Sequence, residues 1–255
     1  MYGAIIGDLA GSIYEYEQVN KVKSIKMNKL IEDNAFYSDD TILTIAILDA
    51  IVNKRDYGLV LREYIKKYKY SKLNYEPYFN TMFSPNLIKW SESNVEGNSH
   101  GNGAMMRISP VGYLFDTEED IINNARLATI PSHNSKEAIE AATIVALIIF
   151  YLRKGLTKEE VFKKLNLKIE YKSISKFNYT CEDTIGNCLY AFYVSNSFED
   201  AIRRSLLMGG DTDTNCAIVG SMAEALYGVD EYLIDKVNKK IPSEFVKLLN
   251  KVRRI

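Results

Sequence analysis

The chain has 255 residues, of which 47% are apolar and 25% charged, with 32 Lys and Arg against 33 Asp and Glu for a formal net charge of -1. These are ordinary values for a folded soluble protein, and the length suffices to bury a substantial core. A balanced charge offers no overall attraction for nucleic acid or a membrane surface, so an anionic ligand needs local help from a metal, a helix N-terminus or a single Arg.

The N-terminus, Met1-Tyr2-Gly3-Ala4-Ile5-Ile6-Gly7-Asp8, has no basic leader and reaches an acid early, so it does not read as a signal peptide, and a cytoplasmic protein is expected. From Gly3 to Tyr16 the segment is apolar, with small residues at Gly3, Ala4, Gly7, Ala10 and Gly11, the pattern of a helix packed closely against neighbours. It carries Asp8 and Glu15, which two helical turns place on one face. Asp8 reads best as a cap or hydrogen-bond partner of a neighbouring helix. A Lys-rich connection leads to Ser38-Asp39-Asp40-Thr41 and then Ile42 to Leu48, a helix apolar almost all round and therefore interior. Adjacent carboxylates at a buried helix start repel unless a cation or proton intervenes, and the helix dipole offsets at most about 1 to 2 kcal/mol of that. A site is favoured here over simple capping.

Leu61, Tyr64, Ile65 and Tyr68 mark an amphipathic helix between Gly58 and Tyr70. The stretch from Leu73 to Gly103, with Pro77, Pro85 and Trp90, reads as a long irregular excursion, a kind of segment that is usually functional. It ends in Asn98-Ser99-His100-Gly101-Asn102-Gly103-Ala104, either a turn feeding the helix of Met105 and Met106 or, with glycines at alternate positions, a phosphate cradle. Arg107 suits a buried partner for an acid as well as it suits a ligand contact. Helices follow over Glu118 to Leu127 and Lys136 to Leu152, with His133 in the loop between them as an exposed or capping residue or a ligand contact. The apolar run from Ala141 to Leu152 is too short to span a bilayer and reads as core.

Further helices are predicted over Leu156 to Leu165, with Thr157 as N-cap, over Thr184 to Val194 and over Phe198 to Met208, while Lys168 to Asn178 fits no pattern. Cys181, Cys188 and Cys216 form no C-x-x-C, and His100 and His133 are the only histidines, which excludes a closed Cys/His zinc site of usual spacing. The run Gly209-Gly210-Asp211-Thr212-Asp213-Thr214-Asn215 then opens a buried helix that stops at Gly228. Two readings stand for it: a helix cap, with Asp213 or Thr214 capping and Asp211 solvated, or an oxygen-rich loop for a hard divalent cation. A final amphipathic helix is predicted from Ser243 to Val252. Nearly all the periodicity is helical and no repeat or linker interrupts it, so an all-α fold in a single domain over 1–255 is expected.

Together, Glu15, Ser38-Asp39-Asp40 and Asp211-x-Asp213-Thr214 each border an apolar helix and could fill most of the protein share of two octahedral sites. With Gly7-Asp8-x-x-Gly11-Ser12-x-Tyr14-Glu15, Ser38-Asp39-Asp40-Thr41, Asn98-Ser99-x-Gly101-Asn102-Gly103-x-x-Met106-Arg107-x-Ser109-Pro110, His133 and Gly209-Gly210-Asp211-Thr212-Asp213-Thr214, the chain resembles the ADP-ribosylglycohydrolase family, from Gly3 to Gly228 and in the expected order.

The resemblance implies a compact multi-helix orthogonal bundle with two Mg²⁺ or Mn²⁺ ions. The implied reaction cleaves the bond between the distal ribose of ADP-ribose and an acceptor on an ADP-ribosylated substrate. Ser38, Asp39, Asp40, Asp211, Asp213 and Thr214 are then the implied metal ligands, with Asp213 bridging and Asp211 and Asp213 part of the catalytic centre. Glu15 is the implied catalytic acid that positions or deprotonates water. Gly101, Asn102, Gly103 and Ala104 are the implied diphosphate and ribose cradle, and His133 the implied contact on the nucleotide side. Ser38 stands where the family usually has Thr, His100 where an aromatic is common, and Asn80-Thr81-Met82 in place of a glycine-rich stretch beside the acceptor. A monomer without stable nucleic-acid or membrane partners is expected. The competing readings are a non-catalytic ADP-ribose or nucleotide binding protein and a dimetal phosphohydrolase.

Overall fold

A computed structural model describes residues 1–14, 29–70, 82–174 and 176–252. Glu15 and the Asn80-Thr81 part of the acceptor-side stretch lie outside the described residues. The helices are α1 Tyr2–Gly11, α2 Asp39–Val52, α3 Tyr57–Tyr68, α4 Pro85–Ser91, α5 Gly103–Met106, α6 Ser109–Leu114, α7 Glu118–Thr129, α8 Lys136–Arg153, α9 Lys158–Lys164, α10 Cys181–Tyr193, α11 Phe198–Met208, α12 Thr212–Tyr227, α13 Glu231–Lys240 and α14 Ser243–Val252. Extended pairing among the described residues is limited to two isolated antiparallel bridges, Asn98 with His133 and Gly101 with Thr180. The fold is all-α, as the periodicity predicts.

The axis of the molecule is the pair α1 and α12. Every residue of α1 is buried, and so is every residue of α12 from Thr212 to Ala223. Gly3, Gly7 and Gly11, four residues apart on one face of α1, meet the α12 backbone directly. A Cβ on Gly7 would lie 2.0 Å from the Cys216 carbonyl oxygen, one on Gly3 2.2 Å from that of Gly220, and one on Gly11 2.3 Å from that of Thr212. Only glycine permits such an approach. Thr212 Oγ1 adds a hydrogen bond to the Gly11 carbonyl at 2.9 Å, so the C-terminus of α1 is tied to the N-terminus of α12.

Around this pair, α11, α8 and α10 pack on α12, α2 and α13 on α1, and α14 on α2. One apolar cluster runs through the chain from Tyr2 to Leu249. Among the described residues no helix is long and apolar enough to cross a membrane.

The predicted elements hold with shifted ends, and three short helices go beyond them. α4 breaks up the excursion read as irregular: Ser84 caps it by accepting from Leu87 N at 3.3 Å and Pro85 opens it. α6 uses Pro110 in the same way, and α13 buries only Leu233, Ile234 and Val237. α10 begins at Cys181 because Thr180 caps it, accepting from Asp183 N at 3.1 Å. The first helix ends at Gly11, before the predicted Tyr16, and Ser12 to Tyr14 form a turn.

Candidate functional site

The N-termini of α2 and α12 converge, and each brings a strip of oxygen atoms. Ser38 is the N-cap of α2, and its Oγ accepts from Asp40 N at 3.1 Å. The same hydroxyl donates to Asp40 Oδ2 at 3.2 Å. From α12, Thr214 Oγ1 donates to that same Oδ2, also at 3.2 Å, across 174 positions of sequence. Asp40 is 2% exposed, and its second oxygen, Oδ1, has no hydrogen-bond partner among the described residues.

Asp213 Oδ1 accepts from the first-turn Thr214 N–H at 2.9 Å, but capping does not account for Asp211. Asp211 occupies the N-cap position but makes no side-chain cap bond, and at 6% exposure it is buried rather than solvated. Its Oδ2 accepts from Asn102 Nδ2 at 2.7 Å and its backbone N–H donates to Asn178 Oδ1 at 2.9 Å. Asn178 in turn donates to Thr184 Oγ1 and Asn215 Oδ1, each at 3.0 Å. Gly210 has φ +78°, and a Cβ there would sit 2.0 Å from Asn178 Oδ1, so the second glycine of the pair is what lets this amide reach the loop.

Asp8 does what the sequence suggested. Its Oδ2 accepts from Ser38 N at 2.9 Å, Thr41 N at 3.1 Å and Thr41 Oγ1 at 2.5 Å, which fastens α1 to the start of α2.

Asp8, Asp40, Asp211 and Asp213 are buried and Asp39 is half-buried beside them, and the crowding shows in their affinity for protons. Burial, followed by the charges of Asp8 and Asp211, pushes Asp39 up to about 8. Asp40 is held well above the ordinary carboxylate value by burial and by the charges of Asp8, Asp39 and Asp211. Burial raises Asp8 to about 6 against the pull of its hydrogen bonds from Thr41 and Ser38, and burial raises Asp211 as well. The nearby buried cation is Arg107, 1% exposed, but among the described residues no ion pair joins it to an acid. It donates instead to Ser132 Oγ at 2.7 Å and to the Ala128 carbonyl at 3.3 Å, and burial lowers it to about 10. The charge of Arg107 reaches Asp39 without a direct ion pair, and the remaining repulsion among the acids calls for protons or cations.

Ser38, Asp39, Asp211, Asp213 and Thr214 lie on the wall of a cavity of about 990 Å³. Its polar side carries His100, Gly101, Asn102, Gly103 and His133, and Phe83, Trp90 and Tyr179 stand among its apolar walls. The loop from Gly97 to Asn102 is held on both sides. Gly97 N donates to the Pro131 carbonyl at 2.8 Å and Ser99 N to that of Ser132 at 3.2 Å, while Asn102 N donates to that of Tyr179 at 2.9 Å.

Of the predicted cradle residues Gly101, Asn102 and Gly103 line the cavity, while Ala104 is fully buried and off its wall. The Gly101 N–H donates to Ser99 Oγ at 3.0 Å, and Asn102 Nδ2 donates to Asp211 at 2.7 Å and to the Asn178 carbonyl at 3.2 Å. His133 is buried beneath Gly101 and Gly103, and burial together with the charge of Arg107 keeps its imidazole well below the usual range and therefore neutral. His100 is more than half exposed and pairs with Glu137 at 3.2 Å.

As cation ligands the acids fit in kind. Side-chain oxygens suit Mg²⁺ or Mn²⁺, and Asp40 Oδ1 is a buried donor atom with nothing bound to it. Among the described residues no three acidic, histidine or cysteine side chains meet at one point, so ligation requires these carboxylates to turn toward a shared ion.

The fold and the site define an all-α protein with an oxygen-lined, acid-rich cavity between two helix N-termini. The chain belongs to the ADP-ribosylglycohydrolase family, whose model it matches over residues 1–255. It is 21% identical to human "ADP-ribosylhydrolase ARH3", in an alignment covering 90% of this chain and 84% of that one. It is 24% identical to "ADP-ribosylarginine hydrolase Tri1" of Pseudomonas putida, covering 98% and 75%. A solved structure titled "ADP-ribosylglycohydrolase-related protein complex" shares the fold at a TM-score of 0.66 and 21% identity, covering 97% of this chain and 90% of that one.

Proposed function

We propose that this chain hydrolyses the glycosidic bond between the distal ribose of ADP-ribose and an acceptor, with two Mg²⁺ or Mn²⁺ ions held by Ser38, Asp39, Asp40, Asp211, Asp213 and Thr214. The observation that carries this reading is the row of acids on the wall of a nucleotide-sized cavity, Asp39, Asp211 and Asp213, with Asp40 buried behind them and its Oδ1 without a hydrogen-bond partner among the described residues. Named ADP-ribosyl hydrolases among the relatives support the same reaction.

Glycosidic cleavage passes through an oxocarbenium-like state, which needs the ribose hydroxyls held and a water activated. Bound divalent cations supply that Lewis acidity and the positive charge that a diphosphate requires. The chain's own residues do the rest. Asn102 and Asn178 hold the Asp211 loop by its side chain and its backbone, and Thr214 and Ser38 orient Asp40. Glu15 is the proposed acid that positions or deprotonates the attacking water.

The test is release of ADP-ribose from arginine-, serine- and nucleic-acid-linked conjugates with Mg²⁺ or Mn²⁺, with and without chelator. Inactivity on all of them with metal shown bound would reject the reading. Release of phosphate instead of ADP-ribose would favour a phosphohydrolase.

A further inference from the structure

We infer that Arg107 and Ser132 are positioning residues that lock His133 in the tautomer protonated on Nε2, so that the cavity wall at Gly101 and Gly103 presents a fixed, neutral N–H donor to an anionic phosphoryl oxygen. This rests on the reading that ADP-ribose occupies the cavity.

Arg107, Ser132 and His133 line the cavity but are only 1%, 3% and 5% exposed, so the partners of the Ser132 hydroxyl and of His133 Nδ1 are the protein groups beside them. A guanidinium can only donate. Arg107 Nη2 lies 2.7 Å from Ser132 Oγ and so occupies one lone pair of that hydroxyl. The hydroxyl proton then needs an acceptor, and the atom within reach is His133 Nδ1, at 2.7 Å. If Nδ1 carried a proton, two donors would point at one oxygen and the serine proton would have no acceptor among the described residues, an arrangement that burial penalises. The arrangement that satisfies all three groups leaves Nδ1 bare and puts the imidazole proton on Nε2. Double protonation is opposed by burial and by the charge of Arg107.

Nε2 faces the loop. A Cβ built on Gly103 would lie 3.3 Å from it and one on Gly101 3.5 Å, and Nε2 has no hydrogen-bond partner among the described residues. The ring cannot easily swing away, since His133 N donates to the Thr129 carbonyl at 3.0 Å and His133 is bridged to Asn98. This gives Arg107 the role that an acid partner would otherwise explain: a buried cation whose Nε and Nη1 are left without partners while Nη2 sets a serine hydroxyl.

Histidine side-chain nitrogen NMR on the full chain reads the tautomer directly. With two histidines in the sequence, a His100→Gln variant assigns the spectrum. The expected wild-type result near neutral pH is a bare Nδ1 and a protonated Nε2 on His133, and a proton on Nδ1 would overturn the inference. Ser132→Ala is expected to mix the two tautomers and to raise the dissociation constant for ADP-ribose about tenfold, equivalent to one hydrogen bond of about 1.4 kcal/mol, with kcat little changed. Ser132→Thr, which keeps the hydroxyl, should restore both. An unchanged His133 spectrum in Ser132→Ala would refute the relay. If the wild type binds no ADP-ribose, the functional reading fails while the spectrum of the free protein still decides the tautomer.

Discussion

Replacing Gly7 with alanine tests the central claim about how the site is assembled. The new Cβ would sit 2.0 Å from the Cys216 carbonyl oxygen and 2.3 Å from its carbon, both backbone atoms of α12 that cannot rotate away. Relief requires α1 and α12 to separate by more than 1 Å, roughly the difference between that distance and an ordinary carbon–oxygen contact. Overpacking of this kind costs about 1 to 3 kcal/mol and sometimes more, against a helix-propensity gain of at most about 1 kcal/mol. Gly186 is the matched control. It lies inside α10 with nothing within 4 Å of its built Cβ, so Gly186→Ala gains propensity without a clash and should stabilise by up to about 1 kcal/mol. Urea or thermal unfolding reads both, each kcal/mol moving the melting temperature by about 2 to 4 °C in a protein of this size. Because α1 carries Asp8 and α12 begins with Asp213 in its first turn, Gly7→Ala should also weaken Mn²⁺ binding by calorimetry. A Gly7→Ala protein as stable as the wild type would refute the close-approach argument.

Asn102→Ala removes the 2.7 Å donor to Asp211 and should weaken Mn²⁺ affinity about 10- to 100-fold in a calorimetric titration; unchanged affinity would assign Asn102 to substrate instead. Asp39 has a folded value of about 8 against 3.8 unfolded, so its protonated form favours the folded state and its contribution to stability falls as pH rises between those values. Cations compete with those protons, so the rise in melting temperature on adding Mg²⁺ should be larger at about pH 8 than at about pH 5.5, and equal shifts would contradict a carboxylate site. Asp39→Asn takes one charge out of the cluster, so in chelator it should melt a few degrees above the wild type at about pH 8 while losing turnover. Asp211→Asn should abolish release of ADP-ribose yet keep the helical circular dichroism of the wild type; loss of folding would give Asp211 a structural role.

The helices were legible in the sequence because their causes are local. The 3.6-residue period of the apolar stripes, caps such as Thr157 and the stop at Gly228 act over a few residues, and small residues at Gly3, Gly7 and Gly11 already announce a close packing face. The missed helices α4, α6 and α13 are short or bury few apolar side chains, which leaves little periodicity to read. The acid strips of the site were legible for a related reason: two adjacent carboxylates before an all-apolar helix are costly and invite an explanation at any distance.

The helical class, the oxygen-rich strips and the family resemblance they carry thus follow from residues that are neighbours in the chain. The tertiary structure decided who partners whom. Asn102 reaches Asp211 across 109 positions and Thr214 reaches Asp40 across 174, and no local rule relates those numbers. Packing turns the Asn102 amide to the Asp211 carboxylate while leaving Asn102 on the cavity wall, and it places Ala104 in the core. Arg107 could be assigned to an acid or to a ligand until burial left it beside a serine hydroxyl. Hydrogen bonds between distant side chains exist only once the backbone has been brought within about 3 Å by the packing of apolar faces, and that packing is a property of the whole chain.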